Sequence, residues 1–322
     1  MTTVIDRMCR LARLDMFCKR IAVSLLRSSA ARGSGSYDAD GHDYLDLLSG
    51  IGVASLGHAH QGLADAIADQ ANTLVHTSNL FFHPLQGQVA ERLAALSGLS
   101  RSFICNSGTE ARRGLLEVRP ALLGTPKGEP RAEFIALEDS FHGRTFGALS
   151  VTSDEHYRKP FEPLVPGVRW VPANDPDALL AAVSNKTAAI IVEGIQGEGG
   201  VRPLTPAFAA AINKASDATG ALVIADEIQC GLGRTGHPFH FATLGLKPHL
   251  VLGRESAGRR RAGRSGDSQR RSRTDDFLRR PRQHVWREPA RLPCRARVSW
   301  ISSFRVVCSH TSTRWAASSN LA

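Results

Sequence analysis

A run of five small or branched apolar residues, Ala221–Ala225, leads directly into two acidic residues, Asp226 and Glu227. Because no polar residue alternates with the apolar ones, the run is typical of a strand buried on both faces of a parallel sheet. Open α/β sheets bind ligands at the carboxyl ends of such strands, so we expect Asp226 to lie at a ligand site. The glycine-rich segment 231–236 follows and would let backbone approach a bound group. An acidic strand end beside a surface loop is the simpler alternative.

The rest of the chain repeats this pattern of a short apolar strand followed by a loop or a helix. The clearest helix is predicted at 206–219, where Phe208, Ala211 and Ala215 share one face. Such alternation predicts an α/β fold with a mostly parallel sheet and helices on both faces. The predicted strands are 102–105, 134–137, 168–171, 188–192, 221–225 and 250–252.

Before this region the sequence predicts a hairpin and two helices. Strands at 36–39 and 44–48 flank an Asp-Gly turn at Asp40, a strong hairpin signal. Apolar residues at helical spacing predict helices at 63–74 and 86–96. Residues 1–31 show no clear period, so the sequence assigns them no structure.

The net charge of +10 is unevenly distributed along the 322 residues. From Arg254 onward there are 17 arginines, no lysine and five acidic residues, which gives this tail a net charge of +12 and leaves −2 for the remainder. A basic tail that binds nucleic acid usually mixes lysine with arginine, and no recognisable nucleic-acid-binding module is present. We therefore expect no nucleic-acid partner.

Hydropathy and cysteine usage indicate a cytoplasmic protein. No apolar run reaches the roughly 18 residues that a membrane span requires, and we read no secretory signal at the N-terminus. The six cysteines are scattered, without the close pairs typical of zinc or redox motifs. We expect reduced thiols, no metal and no membrane partner.

Three loops at the ends of predicted strands carry residue types suited to binding. Asn106–Glu110 places small residues with free amides at a helix start, which favours phosphate, although a simple N-cap is the plainer interpretation. Ser140–Thr145 combines an aromatic ring, a histidine and an arginine, which can stack on a ring and clamp a carboxylate. Core packing of Phe141 and a satisfied polar His142 are the alternatives. Glu193–Gly200 carries two glutamates on flexible backbone, and alone it is equally typical of a surface loop.

Single loops of this kind are common, but eight segments in this order are specific. They are Tyr44–Val53, Leu56–His58, His76–Leu80, Asn106–Ala111, Ser140–Thr145, Tyr157–Phe161, Gln196–Gly200 and Ala225–Gln229. On these segments the chain resembles the class III, fold-type-I aminotransferases that use pyridoxal phosphate, from about residue 33 to 252 with a gap near 112–126. The resemblance implies a cofactor-binding large domain at 61–252, preceded by an N-terminal segment of the small domain at 1–60, with the rest of the small domain missing.

The resemblance also implies a set of residues that bind pyridoxal 5'-phosphate. Asp226 would pair with the protonated pyridine nitrogen and keep the ring an electron sink. Phe141 would stack on the ring, and Gln229 would lie near its phenolic oxygen. The phosphate would be held by amide and hydroxyl donors of Ser107, Gly108 and Thr109.

The substrate side of the site is implied in the same way. Arg144 would bind the substrate α-carboxylate in a bidentate fork. Glu198 would pair with an arginine and move aside for 2-oxoglutarate, and Glu193 is placed in the same site. The segments favour transfer of the terminal amino group of N-acetylornithine to 2-oxoglutarate, while ornithine, succinylornithine and 4-aminobutyrate remain open as donors. A homodimer is implied, because in the family two subunits share the active site.

The family reaction requires a lysine that this chain lacks at the expected place. That lysine forms a Schiff base with the cofactor and moves the α-proton, and it follows the aspartate by roughly thirty residues. Here Lys247 is the last lysine in the sequence, and Glu255 occupies the position that the resemblance assigns to the nucleophile. Arginine cannot replace it, because the guanidinium group stays protonated. We therefore expect no intact catalytic residue.

A shift of the reading frame would account for the missing lysine. Codons for residues 255–262, read one nucleotide later, permit Lys-Ala-Leu-Gly-Gly-Gly-Val-Pro, and those for 284–289 permit Thr-Phe-Gly-Gly-Asn-Pro, both of them family segments. Residues 113–119 behave in the same way, with the normal frame restored before Glu133. We hypothesise a frameshift near 248–253 and a compensated one near 112–126. The tail 253–322 would then be out of frame, and its composition predicts disorder.

Two interpretations of function follow from these observations. The first is an aminotransferase of arginine biosynthesis that is inactive in this form. The second is a non-catalytic remnant that binds pyridoxal phosphate without turnover.

Overall fold

The computed structural model describes residues 28–38, 40–78, 80–111, 131–254 and 305–309. The predictions for residues 1–27, for the segment 112–126 and for position 255 lie outside these ranges, as does most of the tail. The chain divides into two compact units, one of Met1–Ser49 with Gly57–His60 and one of Gly50–Leu56 with Gln61–Ala322. Within the described ranges, no helix has the length and apolar character needed to cross a bilayer.

The first unit contains an antiparallel three-stranded sheet, of β1 (Ser28–Arg32), β2 (Gly35–Asp38) and β3 (Asp43–Leu45). The predicted hairpin is confirmed, and its turn is fixed by Asp38, whose Oδ1 accepts hydrogen bonds from the amides of Asp40 and His42 at 2.9 Å each. The predicted continuation of the strand to Leu48 is wrong. Asp46 ends it, because its Oδ1 accepts from the amides of the two residues that follow Leu47.

The second unit is built on a seven-stranded sheet. Its strands, in chain order, are β4 (Arg101–Cys105), β5 (Glu133–Leu137), β6 (Val168–Val171), β7 (Thr187–Val192), β10 (Leu222–Glu227), β11 (Leu250–Arg254) and β12 (Arg305–Ser309). Across the sheet the order is β4-β12-β11-β10-β7-β5-β6. The last five of these are mutually parallel, whereas β12 is antiparallel to both of its neighbours. The mostly parallel α/β sheet predicted from the sequence is confirmed.

The central strands β5, β7, β10 and β11 are buried on both faces, as their unbroken apolar runs predict. One face carries Ile135, Ile190 and Val223, which pack together with Phe208. The opposite face carries residues of alternating position in the same strands, among them Phe134, Ala136, Ile191, Ile224 and Leu252. Asp226 and Glu227 end β10 inside this double-sided core and are also buried.

Local signals define the helices of this unit. The helix α6 (Pro206–Thr219) has the predicted bounds, because the Thr205 hydroxyl caps the Phe208 amide at 3.2 Å and Gly220 ends the helix in the left-handed conformation at φ 71°. The other helices are α1 (Gln61–Thr73), α2 (Pro84–Ser97), α3 (Phe146–Ser150), α4 (Glu155–Arg158) and α5 (Pro176–Ala182). Ser49–Gly52 forms a left-handed turn in which all four residues have positive φ. Further elements are 3₁₀ segments at Lys159–Phe161 and His240–Leu244 and a two-stranded pair, β8 (Ile195–Gln196) and β9 (Arg202–Pro203).

The Arg-rich tail contributes one element to this sheet. Although its composition predicts disorder, Arg305–Ser309 forms β12, between β4 and β11. The other residues of the tail beyond Arg254 lie outside the described part of the chain.

Candidate active site

The predicted site residues converge on the carboxyl ends of β5, β7 and β10. From β5 the chain proceeds to β6 on one side, whereas from β7 it proceeds to β10 on the other. Adjacent strands whose connections leave in opposite directions open a crevice at their carboxyl ends, where α/β sheets bind ligands. The loops 138–145 and 193–201 leave these strands at that crevice, beside the end of β10.

A buried pair, Asp226 and His142, forms the floor of the site. Asp226 Oδ2 lies 2.7 Å from His142 Nδ1, and the two side chains are 1% and 0% exposed. The second carboxylate oxygen of Asp226 accepts from the amide of Ile228 at 3.2 Å. His142 is oriented in turn by its own amide, which donates to the Thr152 hydroxyl at 2.9 Å. The carboxylate is therefore fixed in direction before any ligand arrives.

Phe141 and Arg144 lie beside this pair and share Tyr157 as a neighbour. The Phe141 and Tyr157 rings meet edge to face, with centroids 5.9 Å apart. The exposed Arg144 guanidinium lies over the Tyr157 ring, with Cζ 4.6 Å from its centroid. Among the described residues Arg144 makes no ion pair, so its donors face solvent. A guanidinium held by ring stacking keeps its bidentate edge available to an anion.

The loop after β7 is fixed to the loop after β5 by two contacts. Glu193 Oε2 accepts from the Phe141 amide at 3.3 Å, and Gln196 Nε2 donates to the Glu138 carbonyl at 2.7 Å. Both side chains are buried, and no described residue donates a hydrogen bond to Gln196 Oε1. Glu193 therefore makes a structural contact in the site. Gln196, which was not predicted as a site residue, presents a buried acceptor, Oε1, that lacks a donor among the described residues.

Gln229 and Glu198 form a bridge between the loops after β10 and β7. Gln229 Nε2 donates to Glu198 Oε1 at 3.3 Å. A Cβ atom at Gly197 would lie 1.1 Å from Gln229 Oε1, so a glycine here lets the Gln229 side chain lie directly against the backbone of the loop after β7. The expected arginine partner of Glu198 is not found among the described residues, where Gln229 takes that place.

The predicted phosphate loop begins a helix at Gly108, and its first turn is capped. Ser107 Oγ accepts from the Glu110 amide at 3.0 Å, and Glu110 Oε2 accepts from the Asn106 amide at 2.8 Å. This reciprocal arrangement resembles a capping box, so the plainer N-cap interpretation of Ser107 is confirmed. An ideal Cβ at Gly108 would lie 2.8 Å from Ile228, so this loop packs directly against the residues after Asp226.

Thr109 connects the same loop to the Ser140–Thr145 segment. A Cβ at Gly143, where φ is 120°, would lie 2.9 Å from the Thr109 hydroxyl oxygen. The three loops that the sequence singled out therefore meet around Asp226. Although they are far apart along the chain, they come together because they follow strands of one sheet.

Glu227, next to Asp226, has a different role. Its carboxylate accepts from the amides of His240 and Phe241 at 2.9 and 2.7 Å and lies 3.4 Å from the Cys230 thiol. Burial raises the pKa of Glu227, and burial beside this carboxyl raises the pKa of the Cys230 thiol. Glu227 thus anchors the 3₁₀ segment after the glycine-rich loop and turns away from the Asp226 side of the strand. The sequence did not reveal this role, although a second acid at a buried strand end signals a need for donors.

No lysine of the described residues reaches the site as a nucleophile. Lys247 is exposed and precedes β11, which places it at the amino ends of the parallel strands, opposite Asp226. Lys159 forms an exposed ion pair with Glu155 at 2.6 Å. The position assigned to the nucleophile, Glu255, lies outside the described residues.

The residues present fit the non-covalent part of a pyridoxal phosphate site. A buried, pre-oriented carboxylate suits a protonated ring nitrogen, and glycines bring three loops around it without side chains in between. The Gln196 Oε1 acceptor adds an unused polar atom. The covalent part, a lysine amine, is not supplied by any described residue.

Comparisons with known proteins agree with this geometry. The family model described as aminotransferase class-III matches residues 19–254. An acetylornithine aminotransferase of Methanocaldococcus jannaschii is 42% identical over 220 residues, which are 68% of this chain and 55% of the relative. The chain thus spans about half the length of the curated relatives it matches.

Two solved structures share the architecture. The ornithine aminotransferase of Toxoplasma gondii, which holds PLP at partial occupancy in its active site, is 29% identical with a TM-score of 0.71, over 78% of this chain and 59% of that one. The N-acetylornithine aminotransferase of Stenotrophomonas maltophilia is 31% identical with a TM-score of 0.61, over 72% and 58%. The fold is that of the fold-type-I PLP-dependent transferases, and the cofactor indicated is pyridoxal 5'-phosphate. With a family match across residues 19–254 and a relative 42% identical over 68% of this chain, the chain belongs to the class III aminotransferases.

Proposed function

We propose that this chain is the cofactor-binding domain of an N-acetylornithine aminotransferase, that it binds pyridoxal 5'-phosphate non-covalently, and that it does not catalyse transamination. The observation that carries the proposal is the buried Asp226 carboxylate, held at 2.7 Å by His142 at the strand-end crevice, in a chain whose last lysine is Lys247. The site offers the ring-nitrogen partner without the amine that would bond to the cofactor.

Each loop has one task toward the cofactor. Asp226 would hold the proton on the ring nitrogen, with His142 keeping the carboxylate in place. Phe141 would pack on the ring, and Gln229 would donate to its phenolic oxygen. Amides of Gly108 and Thr109 and the Ser107 hydroxyl would hold the phosphate, since that hydroxyl accepts from the Glu110 amide and keeps its O–H to donate. When bound, the cofactor supplies an electron-withdrawing ring to the α-carbon of an amino acid.

The substrate residues are assigned on charge and exposure. Arg144 presents a guanidinium edge without an ion-pair partner among the described residues, which suits the α-carboxylate of an amino acid or of 2-oxoglutarate. Glu198 accepts one hydrogen bond from Gln229, at 3.3 Å, and breaking this bond would let its side chain move aside for the dicarboxylate co-substrate. Glu193 supports the loop from its buried position. N-acetylornithine is the donor favoured by the acetylornithine relatives. An ornithine or 4-aminobutyrate donor is the alternative.

The absence of the lysine is attributed to a change of reading frame near 248–253. The end of the family match at residue 254 supports this proposal, because similarity stops where the alternative frame begins to permit family segments. A second, compensated shift near 112–126 is proposed on the same codon argument. The scattered cysteines, of which Cys105 and Cys230 are buried and form no disulfide, fit a cytoplasmic protein. A homodimer is proposed from the family alone.

Two experiments test these proposals. Sequencing of genomic DNA across codons 245–290 separates two cases. A one-nucleotide difference that restores a lysine at position 255 would make the gene product a working aminotransferase and would refute the proposal, whereas an unchanged sequence means that the chain itself lacks the nucleophile. Equilibrium dialysis should then show reversible binding of pyridoxal phosphate to the purified chain, weakened about tenfold or more in Asp226→Asn, in keeping with the loss of a charge-assisted bond. Equal binding by both proteins would refute the role of Asp226.

A further inference from the structure

The strand β12 occupies a slot between two strands that run in the same direction. All five of its residues are paired on both sides, from Arg305 opposite Cys105 and Arg254 to Ser309 opposite Arg101 and Leu250. The register is continuous with both neighbours. β12 is therefore a full internal strand of the sheet.

Without β12 the two neighbouring strands cannot pair with each other. Strands in a sheet are spaced by about 4.8 Å, so β4 and β11 are separated by roughly twice that distance. Leu250, Val251 and Leu252 of β11 are at most 5% exposed, and an empty slot would leave the backbone groups that face β12 unpaired beside a buried core, while those that face β10 keep their partners. β4 is the edge strand on that side of the described sheet, so it would lose its one neighbour there.

The loss would reach the candidate site through β4. The loop Asn106–Thr109 follows β4 directly, and its position against Ile228 depends on where β4 ends. Anchoring of β4 to the rest of the sheet passes through β12. The tail strand therefore sets the position of the loop that would hold the phosphate.

We propose that the slot between β4 and β11 is a binding site for an extended peptide strand, that residues 305–309 of the tail fill it, and that they can do so as a separate peptide. Recognition in such a slot relies on main-chain hydrogen bonds, which tolerate a change of sequence. The segment contains Val306 and Val307, β-branched residues that favour a strand. It follows Arg254 after the 50 residues 255–304 (304 − 254), so no tight turn imposes the pairing. The tail thus has a structural role even if its frame is altered.

The test uses the full chain with Val307→Pro, which removes the N–H at the centre of β12 and places a ring where both neighbours pair. Val298→Pro, in the tail but outside β12, is the matched control. Hydrogen exchange of the amides in β4 and β11 is measured by mass spectrometry, with β5 and β7 as internal references. We expect Val307→Pro to speed exchange in β4 and β11 about 100-fold or more, and Val298→Pro to leave it unchanged.

A peptide of residues 303–311 is then added to the Val307→Pro protein. The proposal that the slot binds a separate strand is supported if this peptide restores protection in β4 and β11 and a peptide carrying the same proline does not. This holds whether the variant had lost these two strands or the whole sheet. Unchanged exchange in Val307→Pro would overturn the role of β12. Loss of protection that the 303–311 peptide does not reverse would overturn the claim that the slot binds a separate strand.

Discussion

The pairing of Asp226 with His142 makes a prediction that separates its contribution to folding from its contribution to cofactor binding. We compare Asp226→Ala with Asp226→Asn in the full chain. Asparagine keeps the shape of the side chain and an acceptor for the Ile228 amide, and its NH₂ group can donate to His142 Nδ1 in the alternative tautomer. Alanine removes both interactions, which measure 2.7 and 3.2 Å.

The magnitude follows from burial. The His142 side chain is 0% exposed, so water cannot replace the lost carboxylate at Nδ1. Each buried donor left without its acceptor costs about 1–3 kcal/mol, and two are affected, so Asp226→Ala should lower the free energy of unfolding by about 4 kcal/mol. Asp226→Asn should lower it by only about 1 kcal/mol, because both donors keep partners while a charge-assisted bond becomes a neutral one.

Urea unfolding followed by circular dichroism measures these losses, and fluorescence titration measures pyridoxal phosphate affinity for the same proteins. Both variants should lose affinity to a similar extent, since neither carries the charge that a protonated ring nitrogen requires. Stability therefore separates the variants and affinity does not. Equal stability of Asp226→Ala and the unaltered chain would refute the structural part of the reasoning, and full affinity in Asp226→Asn would refute the cofactor part.

Three further predictions concern the loops around this pair. Gly197→Ala places a Cβ 1.1 Å from Gln229 Oε1 and should weaken pyridoxal phosphate binding about tenfold by displacing Gln229; Gly87→Ala, where nothing lies within 4 Å, is the control in the same titration and should bind normally. Burial raises the pKa of Glu227 above its ordinary value of 4.5, so the stability that its protonated form contributes is present at low pH and is lost as pH rises through the raised pKa. Glu227→Gln should therefore flatten the decline of the free energy of unfolding with pH, measured by urea unfolding at several pH values. An equally steep decline in the variant would contradict the assignment. Arg144→Gln should lower the free energy of unfolding by less than about 1 kcal/mol, yet it should weaken 2-oxoglutarate binding, measured by calorimetry, about tenfold. Arg158, whose guanidinium lies over Trp170, provides the control, and Arg158→Gln should leave that binding unchanged.

Features set by neighbouring residues were predictable from the sequence. The bounds of α6 follow from Thr205, Pro206 and Gly220, three local signals of where a helix begins and ends. The strand that leads into Asp226 was predicted from its unbroken apolar run, and the convergence of its loop with two others follows from the rule for parallel sheets. Family segments supplied the individual roles, which remain predictions.

Features set by distant partners were not predictable in the same way. His142 and Asp226 are 84 residues apart, and nothing in the local sequence distinguishes a paired histidine from any other polar residue. Glu227 stands beside Asp226 but turns to amides of 240 and 241, because successive side chains of a strand point to opposite faces. The tail strand β12 was missed because arginine-rich composition dominates the surrounding sequence, while strand pairing depends on backbone groups that composition does not reveal.

The central claim is that this chain binds pyridoxal phosphate without a covalent bond and without turnover. Reduction of the cofactor-saturated full chain with borohydride, followed by peptide mapping, tests it most directly. The account predicts that dialysis of an unreduced sample releases the cofactor, that no single lysine is labelled in the reduced one, and that N-acetylornithine and 2-oxoglutarate are not consumed. Stoichiometric labelling of one lysine together with transamination would contradict it.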